Sequence, residues 1–333
     1  HWEKFQNELF KVTTREGHIF AMKPMNCPHH TQIYARKQHS YRELPQRYAN
    51  TTMCYRDEQS GELAGISRSR AFTQDDAHVF CRLTQFEDDM TKIWKIGSRF
   101  DQAAGFTLNV RLSLHEPKHP EKYLGEPARW IAAEKQLRAL VKKQKAKAIE
   151  AVGEAAFYGP KIDFMAKDSI GREWQVPTIQ LDMNLPERFD LTCVNEKGEH
   201  ERIVMIHAAI IESIERFMSI LIEHTAGQFT LWLSPVLIQI ILVTTKHNAS
   251  ARKLHKQLEA AGLRVHLDDA NETVGYKIRK AEKQKAPYMI VIGDKEKSLT
   301  KLSIRIRGKK EVKMVTLKAW IPLLQKNIAK RAI

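Results

Sequence analysis

The feature that most restricts the fold of this chain is a change of hydrophobic period near residue 235. Downstream of it, LIQIILVTT (237–245) is an almost unbroken apolar, β-branched run, the pattern of a strand buried on both faces. Strand and helix signals then alternate. SARKLHKQLEAAGL (250–263) has helical spacing and a stop at Gly262, and RVHLDD (264–269) reads as a strand. GYKIRKAEKQKA (275–286) reads as a helix, PYMIVIGD (287–294) and SIRIRG (303–308) as strands, and LKAWIPLLQKNIAK (317–330) as a helix. This alternation predicts a separate small α/β domain with a mostly parallel sheet from about residue 235 to the end.

Upstream the pattern differs. Residues 17–82 mix β-leaning segments, HIFAM, YANTTMCYR and RAFTQDDAHVFCR, with the turn signal QSGELAG, which predicts a long antiparallel hairpin. Gln85 to Ala104 and Glu126 to Val152 carry apolar residues at helical spacing, the second including Trp130, Ile131, Leu137 and Leu140 and ending in the basic KKQKAKA. Strand signals return at KIDFMAKD, REWQVPTIQLDM and ERIVMIH, and an amphipathic helix is expected from about Ala209 to Thr225. The fold class is therefore α+β, an antiparallel sheet flanked by helices, followed by the smaller α/β domain.

Charge narrows the partners. The chain of 333 residues has 54 Lys+Arg against 39 Asp+Glu, a formal charge of +15 and a pI near 9.6, which attracts polyanions, nucleic acid first among them. The cations crowd into KIRKAEKQK and KSLTKLSIRIRGKK, so the second domain is the expected RNA-binding part, with a solvated basic face as the plainer alternative. The four cysteines, Cys27, Cys54, Cys81 and Cys193, form no CxxC pair and fit a reducing compartment. No apolar run reaches the length of a membrane span and HWEKFQNELF lacks a signal pattern, so a cytoplasmic location without membrane association is expected. The first residue is His1, and a piece of a longer protein is expected.

Several stretches carry chemistry. KPMNCPHH sets the Cys27 thiol beside two imidazoles in a strand-or-turn setting, although a lone cysteine is more often structural. In RAFTQDDAHVF, strand alternation puts Phe72, Gln74, Asp76 and His78 on one face, a polar face that needs partners. VMIHAAIIESIERF ends a strand in His207 and places Arg216 further along the helix; His207 alone reads equally as a satisfied core histidine. In CYRDEQSGE, Arg56 and Glu58 share a strand face, either as a surface ion pair or as two arms gripping one ligand. With Arg68 and Arg216 there are arginines enough for a triphosphate, and no P-loop or GxGxxG occurs.

In order and spacing, PMNCP, CYRDE, SGELAGISRSRAFTQDDAHVFC, GEAAFYGPKIDF, TIQLD and MIHAAIIESIERF resemble the catalytic core of the threonyl-tRNA synthetase family of class II synthetases. WLSP and DDANETVGYKIRKAE resemble its junction and anticodon-binding domain. The resemblance implies a class II catalytic domain over residues 1–230, without the motif 1 that builds the family's homodimer interface, and an anticodon-binding domain over 235–333. The family's expected form is a homodimer; without motif 1, a monomeric or poorly assembled chain is the alternative, and an editing domain is expected to be absent. The implied reaction is ATP-dependent formation of threonyl-adenylate and transfer to tRNA(Thr).

The resemblance also implies roles. Cys27, His78 and His207 would hold one Zn2+, a three-ligand set with an open position for threonine. A site built around a hydroxyl rejects valine. Asp76 would accept from the threonine hydroxyl, Gln74 and Tyr158 would lie near its ammonium, and Met25 and Gln180 would complete the amino-acid pocket. Arg56 would grip the α-phosphate and carboxylate, Glu58 the adenine amino group, Phe72 the adenine face, and Arg68 and Arg216 the phosphate tail, with Mg2+. Lys161, Gln175, Thr178 and Ser213 would line the same pocket, and Asn271, Glu296 and Arg305 would read the anticodon.

The chain departs from the family pattern at Ala64, Ala71, Val176, Pro177, Ala208 and Thr273, and at Glu212, where motif 3 has glycine. A carboxylate at 212 is expected to weaken nucleotide binding unless it turns outward onto a neighbouring cation. A non-catalytic synthetase-like RNA-binding or regulatory protein is the alternative to the enzyme.

Overall fold

The computed structural model describes Trp2 and residues 5–331. The chain folds as two compact units, His1–Gln102 with Phe106–Ile220, and Ala103–Gly105 with Leu221–Ile333. In chain order the elements up to residue 225 are β1 (Lys11–Thr13), β2 (Ile19–Ala21), α1 (Cys27–Ala35), β3 (Gln46–Tyr55), β4 (Ala71–Cys81), α2 (Phe86–Ala104), β5 (Leu108–Leu114) and α3 (Pro127–Lys143), followed by β6 (Ala148–Val152), β7 (Lys161–Lys167), β8 (Glu173–Asp182), α4 (Leu185–Arg188), β9 (Thr192–Val194), β10 (His200–Arg202), β11 (Val204–Ala209) and α5 (Ile214–Thr225).

Seven of these strands form one sheet in the order β3-β4-β11-β8-β7-β5-β6. All neighbours are antiparallel except β5 and β6. Because side chains alternate across a strand, each central strand serves two purposes. Val79, Ile206, Ile179 and Leu181 point into a core with Met90 and Trp94 of α2 and Leu137 and Leu140 of α3. His78, His207 and Gln180 take the opposite face. The hairpin read between 48 and 82 is present, with β3 and β4 paired from Gln46↔Phe80 to Tyr55↔Ala71.

Pro177, lacking an N–H, would break a regular ladder in this sheet. The β7–β8 register shifts there, between Asp163↔Thr178 and Met165↔Gln175, so the proline sits in an irregularity that removes the need for its hydrogen bond.

Three sequence readings are corrected in this unit. Cys27 opens helix α1 and is not in a strand or turn, and Pro28 occupies the first helical turn, where its fixed φ and missing N–H cost nothing. The helix expected over 126–152 stops at Lys143; Lys145 reverses the chain at φ 54° and Ala148–Val152 becomes an edge strand, while Ile131, read with the apolar positions of this helix, is 64% exposed. The final helix begins at Ile214, not near Ala209. Val204–Ala209 is fully buried strand, and the next residues are drawn out of helix by Asp75, whose Oδ2 accepts from Ile210 N and Ile211 N at 2.9 and 3.1 Å.

The second unit holds β12 (Ile238–Leu242), α6 (Asn248–Ala260), β13 (Val265–Asp268), α7 (Val274–Lys283), β14 (Tyr288–Ile292), β15 (Leu302–Ile306), β16 (Val312–Val315) and α8 (Leu317–Ala329). Its sheet runs β13-β12-β14-β15-β16, and every residue of β12 is buried, as its unbroken apolar run requires. The expected mostly parallel sheet is instead mixed. β12 is parallel to β13 and β14, but β14, β15 and β16 are antiparallel because no helix separates them to carry the chain back across the sheet.

Candidate functional site

Register assembles the site. His78 of β4 lies opposite His207 of β11, His207 opposite Gln180 of β8, and Gln180 opposite Lys161 of β7, so residues far apart in sequence form one row across one sheet face. One pair step away are Asp182, opposite Met205, and Thr178, opposite Ala209 and Asp163. Helix α1 lays its first residue, Cys27, against this row.

Cys27 Sγ is 3.6 Å from His207 Nδ1, which is 3.1 Å from His78 Nε2, and the three ligand atoms lie within 4.8 Å of one another in a buried cluster. Tetrahedral zinc with bonds of about 2.0–2.3 Å spaces its ligand atoms by roughly 3.3–3.6 Å, so the set fits that ion. The donors' surroundings also fit. Burial holds the His78 imidazole well below its usual pKa and therefore neutral. Burial also pushes the Cys27 thiol up, and the Asp76 and Asp182 carboxylates add to the rise, a charge pattern that a cation would balance.

Each imidazole is oriented through its other nitrogen, the usual arrangement behind metal ligands. His207 Nε2 donates to Asp182 Oδ2 at 2.9 Å, while Asp182 Oδ1 accepts from Asn184 N and Leu185 N at 2.8 and 2.9 Å. His78 Nδ1 is 2.7 Å from His30 Nδ1, one turn along α1 from Cys27. No role was read from sequence for Asp182 or Asn26, although both stand inside the matched motifs, and His30 figured only as an imidazole beside Cys27. The two-residue step from Gln180 to Asp182 was the available signal.

An open cavity of about 290 Å³ lies beside the cluster. Its lining includes Met25, Cys27, Asp76, Tyr158, Gln180 and His207, together with Arg56, Gln74, Gln175, Thr178 and Glu212. His78 is fully buried behind this wall. Asp76 Oδ2 is fixed by the backbone N–H and side-chain amide of Asn26, both at 3.1 Å. Tyr158 stacks on His207 at 4.5 Å between centroids and donates to Gln180 Oε1 at 2.5 Å. Gly159 lets the Tyr158 loop lie against β8: a Cβ there would meet the Leu181 carbonyl oxygen at 2.0 Å.

A second cavity adjoins the first through Arg56, Gln74 and Glu212, and it gathers Glu58, Arg68, Phe72, Ser213 and Arg216. Arg56 lies over the Phe72 ring at 5.1 Å. Among the described residues, its Nε and the Oε1 of Gln74 are buried polar atoms without a protein partner, which marks them as available to a ligand. Glu58 accepts from Arg68 Nε at 2.8 Å. Ser213 Oγ accepts from Arg216 N at 3.2 Å just before α5, so Arg216 stands in the first turn of that helix, because the helix starts later than the Ala209 expected from sequence.

Lys161 is placed differently from its sequence reading. It borders neither cavity and instead donates to Asp163 Oδ2 at 2.9 Å, a buried carboxylate that also accepts from Ser113 and Arg111 and, on Oδ1, from Thr178. Glu212 does pair with a neighbouring cation, its Oε2 lying 3.1 Å from Arg216 Nη1, but it does so while lining both cavities and not by turning outward. In the second unit Asn271 is exposed, Glu296 accepts from Ser303 Oγ at 2.8 Å, and Arg305 borders a basic cavity with Lys285, Arg307 and Lys309. Thr273 caps α7, its Oγ1 accepting from Tyr276 N.

Residues 10–225 match the sequence profile of the tRNA synthetase class II core domain (G, H, P, S and T), and residues 237–327 that of the anticodon binding domain. The chain belongs to the class II tRNA synthetase family. It is 43% identical over 334 residues to the threonine–tRNA ligase of Porphyromonas gingivalis and 42% identical over 333 residues to that of Thermotoga neapolitana, covering 98% and 100% of this chain. The chain spans about half the length of these curated relatives, 51% of each. Among solved structures of the family, the RNA binding domain of threonyl-tRNA synthetase from Cryptosporidium parvum superposes with a TM-score of 0.90 at 33% identity, covering 98% of this chain and 81% of that one. A putative threonyl-tRNA synthetase from Aeropyrum pernix gives 0.83 at 28%, covering 100% and 80%. All four cysteines are buried free thiols, and among the described residues no helix is long and apolar enough to cross a membrane.

Proposed function

We propose that this chain is the aminoacylating part of a threonine–tRNA ligase, activating threonine with ATP and transferring it to tRNA(Thr). The observation that carries the reading is the buried Cys27–His78–His207 cluster with the fixed Asp76 carboxylate beside it in an open cavity. Zinc held by these three residues would offer open coordination to the amine and hydroxyl of threonine, which the valine methyl could not use. Asp76 accepts from the threonine hydroxyl, and Gln74 and the Tyr158–Gln180 pair receive the ammonium. Met25 closes the apolar side.

Arg56, with no carboxylate partner among the described residues, aligns the substrate carboxylate with the α-phosphate. Phe72 stacks on adenine, Glu58 accepts from its amino group, and Arg68 and Arg216 hold the phosphate tail, accompanied by Mg2+. A carboxylate oxygen attacks the α-phosphorus, the bond to the β-phosphate oxygen breaks and pyrophosphate leaves; positioning and charge neutralisation are the main contributions of the protein. A ribose hydroxyl at the tRNA end then attacks the acyl carbon and AMP leaves. Gln175, Thr178 and Ser213 shape the nucleotide side, and Lys161 acts through Asp163 beneath it. Asn271, Glu296 and Arg305 contact the anticodon, and a homodimer working in the cytoplasm is the expected form.

Threonine-dependent exchange of labelled pyrophosphate into ATP tests this reading. Exchange with threonine and none with valine is expected; no exchange with zinc and magnesium supplied favours the non-catalytic alternative, for which the Glu212–Arg216 contact speaks.

A further inference from the structure

Glu212 stands where the two cavities meet, and its backbone is fixed in an unusual state. Its φ is 59°, the left-handed region that favours glycine. The surroundings hold it there: its carbonyl accepts from Asp75 N at 2.8 Å, the Asp75 carboxylate binds the two preceding N–H groups, and Gln74 pairs with Ser213 just beyond. With the backbone clamped on both sides, the side chain lies along the wall shared by the cavities. Its Oε2 engages Arg216 Nη1 at 3.1 Å, and Arg216 Nε donates to the Ser67 carbonyl at 3.0 Å on the other side.

The rest of the charge in this cavity sharpens the contrast. Arg68 is already neutralised by Glu58 and Glu62, at 2.6 and 3.1 Å. Arg56 alone of the three arginines has no carboxylate partner among the described residues. A polyphosphate seated here therefore meets one free guanidinium, one shared with two glutamates and one occupied by Glu212.

We propose that Glu212 is an internal competitor for phosphate on Arg216 and thereby sets the nucleotide selectivity of this chain, penalising the polyphosphate tail while leaving the adenosine part untouched. This rests on the nucleotide site proposed above. A carboxylate and a phosphate oxygen cannot share the same guanidinium edge without like-charge repulsion, and in a partly desolvated cleft that repulsion exceeds thermal energy severalfold. Triphosphate entry must break the Glu212–Arg216 pair first. Adenosine needs no such step.

The test is calorimetric titration of adenosine, α,β-methylene-ATP with magnesium, and inorganic tripolyphosphate into the zinc-supplemented chain, its E212Q and E212G variants, and E212D, which keeps the charge. E212Q and E212G are expected to bind tripolyphosphate and the ATP analogue about tenfold tighter than the unaltered chain, with adenosine within about twofold and E212D close to the unaltered chain. Unchanged polyphosphate affinity in E212Q and E212G overturns the proposal, as does an equal gain for adenosine, which would mean that the pocket had opened without a change in charge competition. Adenosine that binds none of the four proteins sinks the adenylation reading, while the tripolyphosphate comparison still decides the role of Glu212.

Discussion

Replacing Asp182 with asparagine tests the metal-site geometry in the most confined place. Asp182 is fully buried; one oxygen takes the His207 Nε2 proton at 2.9 Å and the other takes two backbone N–H groups. In Asp182→Asn the carboxamide oxygen keeps the backbone donors, and the NH2 group is left facing His207 Nε2. That nitrogen must then accept, which moves the ring proton to Nδ1, the atom facing Cys27 and His78. Metal binding must reverse that tautomer against the new hydrogen bond. Loss of such an outer partner typically weakens a metal site about 10–100-fold, or roughly 1.4–2.7 kcal/mol. Chelator competition with zinc measures it, with circular dichroism of the metal-free variant as the folding control. A zinc affinity within about twofold of the unaltered chain, in a folded variant, would refute the assignment of His207 Nδ1 as a ligand atom.

Two further outcomes are expected from single side chains. Gly159→Ala would drive a Cβ into the Leu181 carbonyl, so the Tyr158 loop must lift from β8; a cost of about 1–3 kcal/mol in chemical denaturation and weaker threonine binding are expected, and an unchanged midpoint would show that the close approach is dispensable. Asp101 is buried with neither carboxylate oxygen hydrogen-bonded among the described residues, and burial pushes its pKa up to about 8. Its raised pKa means that its stability contribution is fully present below the ordinary carboxylate range and is lost as pH rises through about 8. The gain in Tm from Asp101→Asn should therefore be larger near pH 8.5 than near pH 5, each 1 kcal/mol of that difference being worth roughly 2–4 °C. Equal gains at both pH values would contradict it.

What the sequence made legible follows from what is encoded locally. The unbroken apolar run of β12, the hairpin of β3 and β4 and the face shared by Phe72, Gln74, Asp76 and His78 are periodic signals, and all appear in the fold. The bounds of α3 and α5 are not, because each is decided by a single residue driven to positive φ, Lys145 and Glu212, and in α5 by a carboxylate from a distant strand. Register is likewise invisible locally. Nothing near His207 says that His78 and Gln180 flank it, so the cluster came from ordered motifs; its outer partner Asp182 emerged only from strand register, and His30 only from the packing of α1 on the sheet. Lys161 shows the opposite failure: a residue in the right motif and row turned to a buried carboxylate instead of the cavity.

The most direct test of the account is threonine binding set against metal content. Elemental analysis of the chain purified with zinc should find about one ion per chain, and titration should show threonine bound with valine excluded. Cys27→Ala, or removal of the metal by a chelator, should abolish both the ion and the binding while the fold persists. Threonine binding that survives without the metal would contradict the central claim that Cys27, His78 and His207 form the amino-acid recognition centre.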